Sequence, residues 1–199
     1  MIQKIKIKYV LAIIAILTLT SCAQVIVGGT ASSGLVLVQE RSTKQAAIDI
    51  LIKAKIEESM FSNSYEKLFS KVKVIVYEGK VLLVGTVENQ DTSIKAEELS
   101  WQTKNVKEVA NYISVGKNDI VDYLKDTRIS LEFRAKLLTD QEISEVNFSS
   151  TTENRILYIV GIAQNEKEIS QVLDHASNIA GVKKIINLII EKNDPKREK

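Results

Sequence analysis

Apolar and polar positions along this chain follow two periods, and the order of the periods occurs twice. Val72, Val74 and Val76 alternate through a run that ends at Tyr77, which is the signature of a strand. Glu78-Gly79 predicts a tight turn, with a glycine where φ must be positive, and Val81 to Val87 reads as the return strand. A second hairpin is predicted over Val146–Thr152 and Ile156–Ala163. Its turn is placed at Glu153-Asn154, where Asn154 takes the left-handed role of glycine. Ile129, Phe133 and Leu137 recur at i, i+4 and i+8, so a helix is expected over about Asp126–Leu138, with Asp126 or Thr127 as its N-cap. Its counterpart in the first half is about Lys44–Met60. Second helices are expected near Thr92–Trp101 and Glu166–Ile179, and closing strands near Val106–Val115 and Val182–Glu191.

Two segments fix an internal repeat. Gly79-Lys80-Val81-Leu82-Leu83-Val84-Gly85 aligns with Arg155-Ile156-Leu157-Tyr158-Ile159-Val160-Gly161, an offset of 76. The same offset carries Asn105-Val106-Lys107-Glu108-Val109-Ala110-Asn111 onto Gly181-Val182-Lys183-Lys184-Ile185-Ile186-Asn187. Each module therefore reads αββαβ. The predicted class is α+β: two tandem units, 42–116 and 119–192, each with two helices packed on one face of a three-stranded mixed sheet. Gly85 and Gly161 end equivalent strands, where a side chain is expected to block the packed helix. Residues 193–199 read as a solvated, charged tail.

The N-terminus has a different pattern. Lys4, Lys6 and Lys8 precede an apolar run from Tyr9 to Leu19, and small residues lead to the single cysteine, Cys22. That order is a secretory signal peptide over 1–21. The run falls short of the roughly 20 apolar residues that span a bilayer. Leu19-Thr20-Ser21-Cys22 resembles a bacterial lipobox, which predicts lipidation at Cys22 and an acylated, Gly/Ser-rich tether over 22–41. Ala23, in place of an Asp, favours the outer membrane. Loss of Lys4, Lys6 and Lys8 takes the formal charge from +2 to −1, so no global basic field argues for nucleic acid. With Cys22 acylated, no thiolate is left for a disulfide or a metal.

Catalytic chemistry is thin. His175 is the sole histidine and reads as a partly exposed surface residue rather than a ligand, since metal sites need converging ligands. Nucleophilic catalysis needs a base beside the nucleophile, and no such pair is apparent. Gly28-Gly29 lacks the strand-to-helix setting of a phosphate loop. Trp101 is expected to pack. No catalytic residue, metal or cofactor is predicted, and an enzyme is not expected.

The repeated Gly-x-Val-x-Leu-x-Gly motif, a helix, then Gly/Asn-Val-x-x-Val-x-Asn, resembles the BON domain. It is carried by Gly79, Val81, Leu83, Gly85, Val106, Val109 and Asn111, then by Leu157, Ile159, Gly161, Gly181, Val182, Ile185 and Asn187. Two such domains behind a lipobox resemble the dual-BON outer-membrane lipoproteins. The resemblance implies a non-enzymatic protein, anchored in the outer membrane and facing the periplasm, that binds anionic phospholipid and supports envelope integrity. It places the lipid contact on the first helix of the second domain, over Asp126-Thr127-Arg128-Ile129, Phe133-Arg134 and Leu137-Leu138. Arg128 stands where the compared member has Trp, and Tyr123 lies about a turn earlier. The expected lipid-binding set is Tyr123, Thr127, Arg128, Leu131, Arg134 and Leu138. Helical spacing puts Arg128, Leu131 and Leu138 on one stripe flanked by Arg134. The alternative is a lipid-tethered module that docks an envelope assembly or secretion protein, a reading that mixed charge near Glu132 would favour.

Overall fold

A computed structural model describes residues 40–117 and 120–198. The signal peptide, Cys22 and the tether before Glu40 lie outside them. The element order is α1 Thr43–Asn63, β1 Val72–Tyr77, β2 Lys80–Val87, α2 Gln90–Trp101 and β3 Glu108–Val115. It repeats as α3 Ile120–Thr139, β4 Phe148–Glu153, β5 Ile156–Ala163, α4 Glu166–Ser177 and β6 Lys184–Glu191. Each half is the αββαβ unit expected from the pattern, and its sheet is mixed. β1 runs antiparallel to β2, and β3 joins β2 in parallel; β4, β5 and β6 repeat this. Ser42, Asn89 and Asn165 cap α1, α2 and α4 with their side-chain oxygens.

The two cores are equivalent. Val74, Val76, Val81 and Leu83 face Ile52, Ile56 and Met60 of α1. Leu157 and Ile159 face Ile129, Phe133 and Leu137 of α3. β2 and β5 do not alternate in burial; both are buried almost end to end. Their continuous apolar runs are the mark of a strand covered on both faces. The second cover is the other domain. Tyr77, Leu82 and Val84 form one buried cluster with Tyr158, Val160 and Ile162, so the two sheets stack with their helices outward. The Tyr112 and Tyr158 rings lie 5.3 Å apart, and the Tyr77 hydroxyl donates to the Asn147 carbonyl at 2.9 Å. Burial pushes the Tyr77 phenol up to about 12.

Several expectations are corrected. Asp126 does not cap a helix. It is buried in the second turn of α3, and its carboxylate accepts from the backbone N–H groups of Asn154 and Arg155 at 2.8 and 2.7 Å. Asp49 does the same for Glu78 and Gly79 at 2.8 and 2.9 Å. The second turn is Asn154-Arg155, one residue later than expected, and both residues are left-handed, as are Glu78 and Gly79. That is the twist a two-residue hairpin needs. A Cβ on Gly85 would lie 2.1 Å from the Lys71 carbonyl oxygen, and one on Gly161 2.4 Å from that of Asn147. These glycines accommodate the neighbouring strand's backbone, not a helix. A π-helical turn, Tyr65–Phe69, and a 3-10 turn, Glu145–Asn147, were not anticipated. Nor is the tail free. The Arg197 guanidinium donates to Glu78 at 2.8 Å, and Lys192 pairs with Glu40 at 2.7 Å. Arg41 likewise lies against Tyr77 and Asp49 rather than in a tether.

Candidate functional site on the first helix of the second domain

α3 carries two opposite stripes. Asp126, Ile129, Phe133 and Leu137 occupy positions i, i+3, i+7 and i+11 and are buried. Ile129, Phe133 and Leu137, carried over as part of a lipid contact, are core residues and are not available to a membrane. The opposite face holds Ile120, Leu124, Leu131 and Leu138, each 59 to 68% exposed, with Val121 and Tyr123 beside them. This is a ridge of large apolar side chains about 27 Å long, from the helical rise over 18 residues.

The expected site residues therefore separate. Leu131, Leu138 and Tyr123 stand on or beside the ridge and face solvent. Thr127 turns its hydroxyl onto the Tyr123 carbonyl, 2.9 Å away, and contributes little polar surface. Arg128 and Arg134 are exposed but compensated. Arg128 pairs with Glu132 at 2.9 Å and also donates to the Ala180 carbonyl; Arg134 pairs with Glu145 at 2.9 Å. Their charge is therefore partly spent inside the protein. Reversing both would set new carboxylates against Glu132 and Glu145, so it is a poor test of lipid attraction. Ile120, Val121 and Leu124 were missed because the helix was started at Asp126. The spacing of four and seven residues that links Ile120, Leu124, Leu131 and Leu138 was the available signal.

The first domain has a comparable feature. Ile50, Leu51 and Phe61 project from α1 opposite its core stripe and are 56 to 69% exposed. Phe61, Tyr65 and Phe69 form an aromatic group with ring centroids 5.4 to 5.8 Å apart. Because the sheets stack back to back, the outward faces of α1 and α3 lie on opposite sides of the sandwich. Trp101 is half exposed rather than packed.

Elsewhere, His175 bonds Asp140 at 2.7 Å, and this bond holds the Asp140 carboxyl below its ordinary range. Among the described residues no group of His, Cys, Asp and Glu is placed to hold a metal ion, and no helix is long and apolar enough to cross a membrane.

The family model for the BON domain matches residues 49–117 and again 125–193. The chain belongs to the BON-domain family. It is similar to "Uncharacterized protein in gshII 5'region" of Anaplasma centrale, 36% identical over 143 residues, 71% of this chain and 93% of that protein. It is also similar to the outer membrane lipoprotein DolP of Haemophilus influenzae, 27% identical over 87% of this chain and 90% of that protein. A 21 kDa hemolysin of Actinobacillus pleuropneumoniae is 26% identical over 76% of this chain and 78% of its own length.

Proposed function

We propose that this BON protein is a non-enzymatic, lipid-anchored protein of the outer membrane, facing the periplasm. In this reading it binds anionic phospholipid through its second domain and supports envelope integrity. The observation that carries the reading is the solvent-facing ridge of Ile120, Leu124, Leu131 and Leu138 directly opposite the core face of α3. Exposed apolar surface of this size on a soluble domain marks a contact, and a helix with one wet apolar face lies in a bilayer interface. The Haemophilus relative named an outer membrane lipoprotein supports the location. With Arg128 and Arg134 paired internally, insertion rather than charge supplies most of the ridge's share of binding.

Changing Leu131→Asp together with Leu138→Asp tests the ridge. Both side chains are exposed, so the thermal melt should stay within a few degrees of the parent. Vesicle co-sedimentation should fall about tenfold or more, since burying a leucine contributes about 1.5–3 kcal/mol. Undiminished sedimentation of the folded variant would remove the second-domain contact.

Anchoring is tested at Cys22. Stable membrane attachment takes more than one acyl chain, at about 0.8 kcal/mol per buried CH₂. Cys22→Ala should abolish incorporation of labelled lipid and shift the protein out of the outer-membrane fraction. Labelling that persists in the variant would refute acylation at this residue.

The second reading, a module that docks an envelope protein, is favoured by one feature: the apolar ridge of α1 with Phe61, Tyr65 and Phe69, which faces away from the α3 ridge. A single bilayer does not reach both.

A further inference from the structure

The duplicated scaffold supplies its own comparison. At one end of each sheet, the hairpin turn, the start of the closing strand and the side of the first helix come together. In the first domain this end carries Gly79, an ion pair between Lys80 and Glu108 at 3.5 Å, and Leu51 on the helix. In the second domain the equivalent positions hold Arg155, Ile156 with Lys184, and Arg128. At the positions of Arg155, Lys184 and Arg128 the fold accepts a neutral or paired set, so it does not require basic residues there; Lys183 has a lysine counterpart, Lys107, in the first domain.

We propose that Arg155, Lys183 and Lys184, beside Arg128, form the site where anionic phospholipid headgroups bind, next to the apolar ridge of α3. The proposal rests on the second-domain lipid reading and locates its charge selectivity away from the helix. Backbone bonds assemble the cluster. Asp126 in α3 holds the Arg155 N–H at 2.7 Å, and the Arg155 carbonyl accepts from the Lys183 N–H at 2.8 Å. Arg128 reaches the Ala180 carbonyl in the same loop. A Cβ on Gly181 would sit 3.2 Å from the Arg128 guanidinium, so the loop closes tightly on the helix. Lys183 and Lys184 are exposed. Among the described residues, none of Arg155, Lys183 and Lys184 forms an ion pair, in contrast to Arg128 and Arg134. Lys183 and Lys184 are thus exposed and free of ion pairs among the described residues, beside the loop that Arg128 contacts, and Arg155 joins them at the turn.

Arg155 adds a second observation. Its φ is 63°, at a position where the first domain has Gly79 with φ 80°. A side-chain-bearing residue in the left-handed region is strained, as Glu78 also is in the first hairpin. Glycine or asparagine would make the same turn without cost. Phosphate is the chemistry that planar guanidinium and clustered ammonium groups recognise. A bilayer is the source that accounts for the apolar ridge beside them, through attraction of basic residues to an anionic leaflet.

The test gives the second domain the residues of the first. Arg155→Gly with Lys184→Glu should leave the melt unchanged or raise it, because Gly removes the strain. The full mature chain with Cys22→Ala is sedimented with phosphatidylglycerol vesicles and with phosphatidylcholine vesicles. Each basic residue near an anionic surface is worth about a fivefold change in partitioning, so the swap should weaken phosphatidylglycerol binding more than tenfold. Phosphatidylcholine binding should not change. Unchanged phosphatidylglycerol binding by the folded swap overturns the headgroup site. The Leu131→Asp with Leu138→Asp variant, run in parallel, reports on the ridge alone. Loss there with no loss in the swap leaves the ridge and removes the basic site; the converse leaves the basic site and removes the ridge. No binding by the parent to either vesicle overturns both.

Discussion

Gly85→Ala should destabilise the fold by about 3 kcal/mol or more, although an alanine in a strand ordinarily outranks a glycine. The expected sign comes from one distance. The added Cβ would meet the Lys71 carbonyl oxygen at 2.1 Å, with the Val72 Cα at 3.2 Å. Both are backbone, so no rotamer relieves the contact, and the Val72–Gly85 pair at the open end of the hairpin must part. Overpacking of this kind typically costs 1–3 kcal/mol, occasionally more. Elsewhere Gly→Ala is stabilising by about 0.4–1 kcal/mol through the unfolded chain. Gly161→Ala should behave alike, against Asn147 at 2.4 Å and the Phe148 ring at 2.7 Å. Gly116→Ala is the control. Its Cβ would meet only the Thr86 methyl at 3.7 Å, and its effect should lie within about 0.5 kcal/mol. Denaturant melts of the three variants decide the matter, and a Gly85→Ala protein as stable as the Gly116→Ala protein would refute the close-approach explanation.

Asp126→Ala should cost about 3 kcal/mol. The buried carboxylate is the acceptor for two turn N–H groups, at 2.7 and 2.8 Å, both on residues with positive φ. A hydrogen bond to a charged group contributes about 1.5–3 kcal/mol, and its loss leaves the donor unsatisfied. For a unit of this size the melting temperature should fall by about 10 °C. Asp126→Asn should recover little, because its amide nitrogen would turn a donor toward one of the two N–H groups. A conservative result for Asn, with stability near the parent, would show that packing rather than double acceptance explains the burial.

These two sites also show where the sequence was legible. The offset of 76 and the strand alternation carried the topology. The register of the second hairpin was not legible, because the turn lies one residue later than Glu153-Asn154 and Phe148 pairs with Gly161 as Val72 does with Gly85. The core stripe of α3 was legible from Ile129, Phe133 and Leu137. Asp126 was misread because aspartate near a presumed helix start suggests a cap. The stripe Asp49, Ile52, Ile56, Met60 repeats as Asp126, Ile129, Phe133, Leu137. A polar residue fixed on a core stripe in both copies was the signal for a buried acceptor. The unbroken apolar runs of β2 and β5 implied cover on both faces, but no local pattern names the partner, and only the tertiary structure shows the two sheets covering each other. The docking of Arg197 on Glu78 is a pairing across most of the chain and leaves no trace in local periodicity.

The orientation of the molecule on a membrane follows from the back-to-back sheets and the α3 ridge. It is tested most directly by labelling. Cys22 is the single cysteine, so Cys22→Ala combined with Leu131→Cys or with Leu51→Cys places one fluorophore on α3 or on α1. Both positions are exposed, 65 and 69% respectively. With phosphatidylglycerol vesicles carrying nitroxide-labelled lipid, the label at 131 should be quenched and the label at 51 should not. Quenching at 51 without quenching at 131, or at neither, would contradict membrane contact through the second domain.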